Sequence, residues 1–343
     1  MTVDERIKSC RVHDALRELA IRKTPEMMKY QPNPDLENAE MGYNLPKEIG
    51  KVRLLRYLGL RRTSIGRLPH SFGCLRNLQT LDIRNINRVI VSNFIWKLES
   101  LRHLYAYKME CDVPLKIEGL RNLQTLSGIR FDDIMHNNMI TLTSLQKLGI
   151  WVDDGSDIGK LCMHLSEVGS LKTLRLYCNV RREWPTVCGL SKLHHVTELK
   201  LCGMGLTTLP PDFPSNLSRL SLSFTRLEHD PMPALEKLGQ LSFLKMEFSY
   251  WEPQLVISTH GFHQLKFLEL NFQHGLKEIK VEKGALPQLQ CLRIRKCLSL
   301  EKLPEELKYI STLEKLELVD MPEDLISRLD ADMISSIPNL RIF

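Results

Sequence analysis

Asp153-Asp154-Gly155-Ser156-Asp157 is the stretch that comes nearest to a metal loop, since closely spaced carboxylates around a glycine are what a calcium site uses. The distal glutamate that would close such a loop is missing at the required spacing, so the segment reads as a solvated surface loop. His194-His195 offers two imidazoles, but adjacent residues approaching a strand point to opposite faces and do not share one ion. The nine cysteines, Cys10, Cys74, Cys111, Cys162, Cys178, Cys188, Cys202, Cys291 and Cys297, contain no C-x-x-C and no Cys/His cluster at zinc spacing. Their odd number and scatter favour a reducing cytosol over secretion. No G-x-S-x-G nucleophile elbow is present. No G-x-x-x-x-G-K-[ST] phosphate loop is present either, because the nearest string, Gly155 to Lys160, is wrongly spaced and runs into Leu161. Catalysis, metal binding and nucleotide binding are therefore not expected of these residues.

What the chain has instead is a repeat. The pattern L-x-x-L-x-L begins at Leu55, Leu78, Leu101, Leu123, Leu145, Leu171, Val196, Leu217, Leu241, Leu265, Leu289 and Leu313, with a truncated copy at Leu340. The eleven intervals from Leu55 to Leu313 span 258 residues and average about 23.5, within the range of a leucine-rich repeat. Three apolar positions at this spacing form a short strand with its leucines on one face. One such strand cannot bury its leucines alone, so neighbours stack into a parallel sheet. The expected fold is α/β: a leucine-rich-repeat solenoid of about twelve full repeats over residues 45–343, an arc with a concave parallel sheet and an irregular convex side. Segments such as Ile65-Gly66-Arg67-Leu68-Pro69, Leu209-Pro210-Pro211 and Leu303-Pro304-Glu305-Glu306-Leu307 carry the chain back, and their prolines discourage long helices. The asparagine often found after the third leucine appears clearly only as Asn179, with Thr63, Thr225 and Cys297 elsewhere, so the hydrogen-bonding ladder it would form must be irregular. The weakest copies are Leu123-x-x-Leu126-x-Gly128 and the long interval between Leu145 and Leu171.

At 343 residues, 43% hydrophobic and 26% charged, the chain has globular composition. It shows no secretion signal and no run long enough for a membrane span, and it reads as soluble. The net charge of +6 is unevenly spread. Lys51 to Lys108 holds twelve Lys/Arg against two acids, whereas Leu298 to Asp332 holds ten acids against four bases. The basic stretch lacks a nucleic-acid-binding fold, and its charges are spread over both faces, so a protein contact is expected there rather than nucleic acid.

Residues 1–30 fall outside the period and contain a helical stripe at Val12, Ala15, Leu16, Leu19 and Ala20; residues 31–44, with Pro32 and Pro34, form a linker. The run Arg6-Ile7-Lys8-Ser9-Cys10-Arg11-Val12-His13-Asp14-Ala15-Leu16-Arg17-Glu18-Leu19-Ala20 resembles the end of the winged-helix subdomain, with its Met/Val-His-Asp motif, in plant nucleotide-binding leucine-rich-repeat immune receptors of the coiled-coil class. The repeat Leu55-Arg56-Tyr57-Leu58-Gly59-Leu60-Arg61-Arg62-Thr63-Ser64-Ile65 and the segment Leu78-Gln79-Thr80-Leu81-Asp82-Ile83 are also similar to that family. The resemblance implies a carboxy-terminal piece of such a receptor, from a winged-helix remnant at 1–30 through the repeats. In the family the histidine matching His13 contacts bound ADP. Without a phosphate loop, His13 is a vestigial contact here, and ADP or ATP belongs only to a full-length relative.

The resemblance implies a non-enzymatic, cytoplasmic module that recognises a pathogen effector or a host protein and takes part in autoinhibition. Its basic end, represented by Arg56, Arg61 and Arg84, would dock on a nucleotide-binding module in cis or in trans. The alternative is a cytosolic adaptor such as a ubiquitin-ligase substrate receptor. Strand alternation sends the residues two, four and six places after the first leucine to the concave face. There the middle repeats carry Tyr105, Tyr107, Trp151, Arg175 and Tyr177, with His103 and Lys147 interleaved. Aromatic and arginine side chains of this kind either anchor a partner or pack on one another across neighbouring strands.

Overall fold

The computed structural model describes residue 45 and residues 47–343, apart from 62, 64, 87, 88, 92, 180–183 and 330. The segment 1–30 with His13, and the linker 31–44, lie outside the described residues. The chain divides into two compact units, the first taking in the residues through Trp151 together with 167–170, the second 152–166 and 171–343.

The first unit contains β1 (Tyr57–Gly59), β2 (Thr80–Ile83), β3 (Val89–Ile90), β4 (His103–Ala106), β5 (Met109–Glu110), β6 (Thr125–Arg130) and all but the last residue of β7 (Lys147–Val152). β1, β2, β4, β6 and β7 lie side by side in that order, while β3 and β5 form a small parallel pair of their own. Register follows the repeat: Leu58, Leu81, Leu104, Leu126 and Leu148 stand opposite one another. Each is 0–1% exposed. Full burial of one such side chain contributes about 1.5 to 3 kcal/mol, so the repeated leucines are the main source of cohesion. Leu55, the first leucine of the first copy, stays half-exposed.

The second unit contains β8 (Thr173–Cys178), β9 (Glu198–Cys202), β10 (Arg219–Ser223), β11 (Phe243–Glu247), β12 (Gln254–Ile257), β13 (Phe267–Asn271), β14 (Glu278–Val281), β15 (Cys291–Arg295), β16 (Lys315–Val319) and β17 (Asn339–Ile342). Eight of these form the parallel sheet, and β12 and β14 pair on the return side. Between β10 and β17 the spacing settles at 24 residues, and Leu220, Leu244, Leu268, Leu292, Leu316 and Leu340 share one row.

Two further columns accompany this regularity. Phe224, Phe248, Phe272, Lys296 and Asp320 all adopt left-handed backbone, with φ between 48° and 55°. That conformation is unfavourable for a side chain with a Cβ. It is offset because each N–H is turned onto a carbonyl of the next repeat, at 2.8–3.1 Å. The residues that follow, Thr225, Ser249, Gln273 and Cys297, are fully buried. They supply the internal polar ladder in place of asparagines: Thr225 Oγ1 donates to Ser249 O (3.1 Å), Gln273 Oε1 accepts from Tyr250 N (2.9 Å) and Gln273 Nε2 donates to Asn271 O (2.8 Å). The irregularity expected of the ladder is thus one of residue type, not of missing bonds.

The Asp153–Asp157 stretch is a surface loop, and it leads into a helix, Ile158–Ser166, that the proline-rich return segments did not foreshadow. Asp157 Oδ1 accepts from Lys160 N (2.9 Å) and caps the helix. Its buried stripe is Ile158, Leu161, Cys162 and Leu165.

Candidate protein-recognition site

In the first unit the open face of the sheet is organised around one carboxylate. Asp82 sits mid-strand in β2, 1% exposed, with Gly59 and Tyr105 as its register neighbours. Arg61 donates through Nε to Asp82 Oδ2 (2.6 Å) and reaches the same oxygen with a second nitrogen. Arg84 forks onto both oxygens, Nε to Oδ1 (3.0 Å) and Nη2 to Oδ2 (2.8 Å). Burial pushes the Asp82 carboxyl above its ordinary range, and the Arg61 guanidinium pulls it back. The Arg84 guanidinium also lies 4.7 Å above the Tyr105 ring, which in turn stacks on His103 at 5.9 Å. Burial holds His103 below the usual histidine range, with Arg102 and Lys147 adding to the effect. Two of the three arginines expected to form a basic docking surface are thus drawn together on one buried acid, whereas Arg56 stands exposed by itself.

Tyr107 and Trp151 meet edge to face, ring centres 5.0 Å apart, although β6 runs between their strands. Gly128 makes this possible. Register slips between Ser127 and Ile129 at a bulge. Gly128 takes φ +83°, where a Cβ would stand 2.8 Å from the carbonyl oxygens of Ala106 and Tyr107. With no side chain in the way, the Trp151 indole N–H donates to Tyr107 O across the gap. Lys108 Nζ lies 5.3 Å from the Trp151 ring, and Tyr107 remains 55% exposed. The anchoring and packing readings of these two rings are combined here: they pack on each other and still face outward. On the return side, Arg53, Arg76 and Lys97 surround the exposed Trp96 in an open depression.

The second unit carries the other two expected residues. Arg175 and Tyr177 lie on β8, in register with Lys200 and Cys202, and both are half-buried. Further along, the central row alternates in charge, Lys245, Glu269, Arg293 and Glu317. Lys245 pairs with Glu269 (3.3 Å) and Glu247 (3.0 Å); Arg293 pairs with Glu269 (4.0 Å) and, through Nε, with Glu317 (2.5 Å). The Lys315 and Arg293 side chains hold Glu317 below the usual carboxylate range. Beside this row Phe224, Phe248 and Phe272 stack face to face, 5.2 and 4.5 Å apart, with Arg295 and Lys296 each 5.6 Å from the last ring. The sequence marked Gly128 only as part of a weak repeat and gave Asp82 no role, and the phenylalanine stack was missed although the 24-residue spacing of its three rings was open to view.

Among the described cysteines, Cys74, Cys111, Cys162, Cys188, Cys202, Cys291 and Cys297 form no disulfide, and burial pushes the Cys111 and Cys162 thiols up to about 12 and those of Cys202 and Cys297 to about 11. Among the described residues no group of three or more His, Cys, Asp or Glu side chains is placed to hold a metal ion, and no helix is long and apolar enough to cross a membrane.

Stacked parallel strands on a leucine core, with a face of fixed arginine and aromatic side chains, define a protein-interaction solenoid. The chain belongs to the leucine-rich repeat region family, whose pattern matches residues 35–321. It is similar to two disease resistance proteins of Arabidopsis thaliana. RPP8 is 30% identical over 296 residues, 84% of this chain and 33% of its own length. RPH8A is 29% identical over 299 residues, 84% of this chain and 32% of its own length. The chain thus spans about a third of the length of the curated relatives it matches. A solved leucine-rich-repeat protein of Leptospira interrogans shares the fold, with a TM-score of 0.52 at 21% identity over 86% of this chain and 73% of its own.

Proposed function

We propose that this chain is the protein-recognition module of a plant innate-immune receptor. It engages a pathogen effector or a monitored host protein and docks, through its basic amino-terminal repeats, on a nucleotide-binding module in cis or in trans to hold the off state. The observation that carries this reading is the similarity to plant disease resistance proteins across 84% of the chain. The module itself performs no catalysis and takes no nucleotide; ADP or ATP belongs to a full-length receptor. His13 is then a residual nucleotide contact, residues 1–30 a winged-helix remnant, 31–44 a linker and 45–343 the solenoid. The odd number and scatter of the nine cysteines support a cytoplasmic setting. A ubiquitin-ligase adaptor could be built on the same fold, but the named relatives do not favour it.

The test is co-expression in leaf tissue with the nucleotide-binding segment of RPP8. The expected result is co-precipitation that weakens as salt rises, because exposed charges are screened beyond roughly 8 to 10 Å at physiological ionic strength. Recovery of a ubiquitin-ligase scaffold in place of that segment would overturn the reading.

A further inference from the structure

We infer that the Arg61–Asp82–Arg84 cluster is a carboxylate receptor: it seats an acidic side chain of a partner protein, while an apolar group beside that acid rests on Tyr107 and Trp151. The inference rests on the recognition reading above and names the chemistry its partner must carry.

The geometry accounts for each part. Asp82 is nearly inaccessible, so its charge serves the two guanidiniums and not the solvent. Each arginine spends its Nε and Nη2 on Asp82, whereas Nη1 of each makes no bond to another described residue. The arginine side chains remain 50% and 41% exposed. Two cations against one anion leave a net positive charge, fixed in orientation by the buried carboxylate and by the Tyr105 ring beneath Arg84. A fixed pair of outward N–H donors suits a carboxylate, which accepts paired guanidinium bonds and needs no ordering of long side chains when it binds. The surroundings agree in sign, with Arg56, Arg102, Lys108 and Lys147 on the same unit. By contrast, the Lys245, Glu269, Arg293 and Glu317 row of the second unit pairs its charges with one another.

Random peptides displayed on phage and selected against the intact chain test this directly, since such peptides carry carboxylates but no phosphate. The expected winners contain Asp or Glu next to Phe, Leu or Trp. Their affinity should fall at least tenfold on Arg61→Gln, a change that leaves Arg84 paired with Asp82 and should leave the melting temperature near that of the parent. Arg84→Gln and Tyr105→Leu supply second variants should the first fold poorly, and Arg219→Gln in the second unit is the control expected to bind as the parent does. Winners without acidic residues, or acidic winners that bind Arg61→Gln and Arg84→Gln as tightly as the parent, would overturn the assignment. Either result leaves the leaf co-expression test unaffected, so this inference and the immune-receptor reading fail separately.

Discussion

The open faces of the two units solve the same electrostatic problem in opposite ways. In the second, acids and bases alternate across consecutive strands and neutralise each other in register. In the first, one buried acid holds two half-exposed arginines, and a tyrosine and a tryptophan pack across a bulge with their outer surfaces uncovered. Charges satisfied within the sheet mainly fix strand register; a charge that positions other charges and leaves donors over fixes a surface for something else. The distinction yields predictions for stability that differ between the units.

The largest effect should come from Gly128→Val. A β-branched residue at φ +83° would bring a Cβ to within 2.8 Å of two carbonyl oxygens, and strain plus displacement should cost about 3 kcal/mol or more. Thermal unfolding should show that loss together with a red shift in tryptophan fluorescence of the folded variant relative to the parent, as the Trp151 indole leaves Tyr107 for water. A parent-like melt would mean that the bulge is not needed. Next, Phe248→Leu removes the middle ring of a three-ring stack, and two lost ring pairs should cost about 1 to 3 kcal/mol in urea unfolding, whereas packing on the leucine core alone would make the change nearly silent.

Glu317→Gln should cost less, about 1 kcal/mol at neutral pH. Its pH dependence is the sharper readout. Lys315 and Arg293 hold the folded carboxyl below its ordinary value of 4.5, so its contribution is complete above pH 4.5 and is lost as pH falls below that toward the folded pKa. Melting curves of the parent should therefore decline more steeply than those of Glu317→Gln below pH 4.5; parallel declines would remove the ladder from the account.

The smallest stability effect is expected from Asp82→Asn, despite its four arginine nitrogens within 3.0 Å. Burial raises the Asp82 carboxyl above its ordinary 3.8, so its contribution is present below pH 3.8 and is lost as pH rises through the folded value. At neutral pH the relieved desolvation and the lost ion pairs should offset to within about 1 kcal/mol. A loss well beyond that would make Asp82 a stabilising residue and not a positioning one.

Much of the fold was legible in the sequence because the inward leucines obey a local rule: L-x-x-L-x-L specifies both strand and core face, and between those leucines Tyr105 is half-buried and Tyr107 exposed. Gly128 was visible as a departure from that rule, but not its consequence, since the contact of Trp151 with Tyr107 crosses an intervening strand and needs the bulge geometry. The helix at Ile158–Ser166 is legible in its apolar stripe of Ile158, Leu161, Cys162 and Leu165, in a return segment that, unlike others, holds no proline. Left-handed phenylalanines could not, because nothing in the residue type favours that conformation. Arg61 and Arg84 were recognised as basic but not as partners, because the acid they share lies one repeat from the first and two residues from the second.

The most direct test of the central claim is a paired comparison of function and stability. Tyr107→Ala with Arg61→Gln in the first unit, and Lys245→Met with Arg293→Met in the second, would each be scored for partner binding and for melting temperature. The first pair should lose binding by tenfold or more with a nearly unchanged melting temperature, and the second should melt earlier yet bind as the parent does. Binding lost only in the second pair, or retained in both, would contradict the assignment of recognition to the first unit.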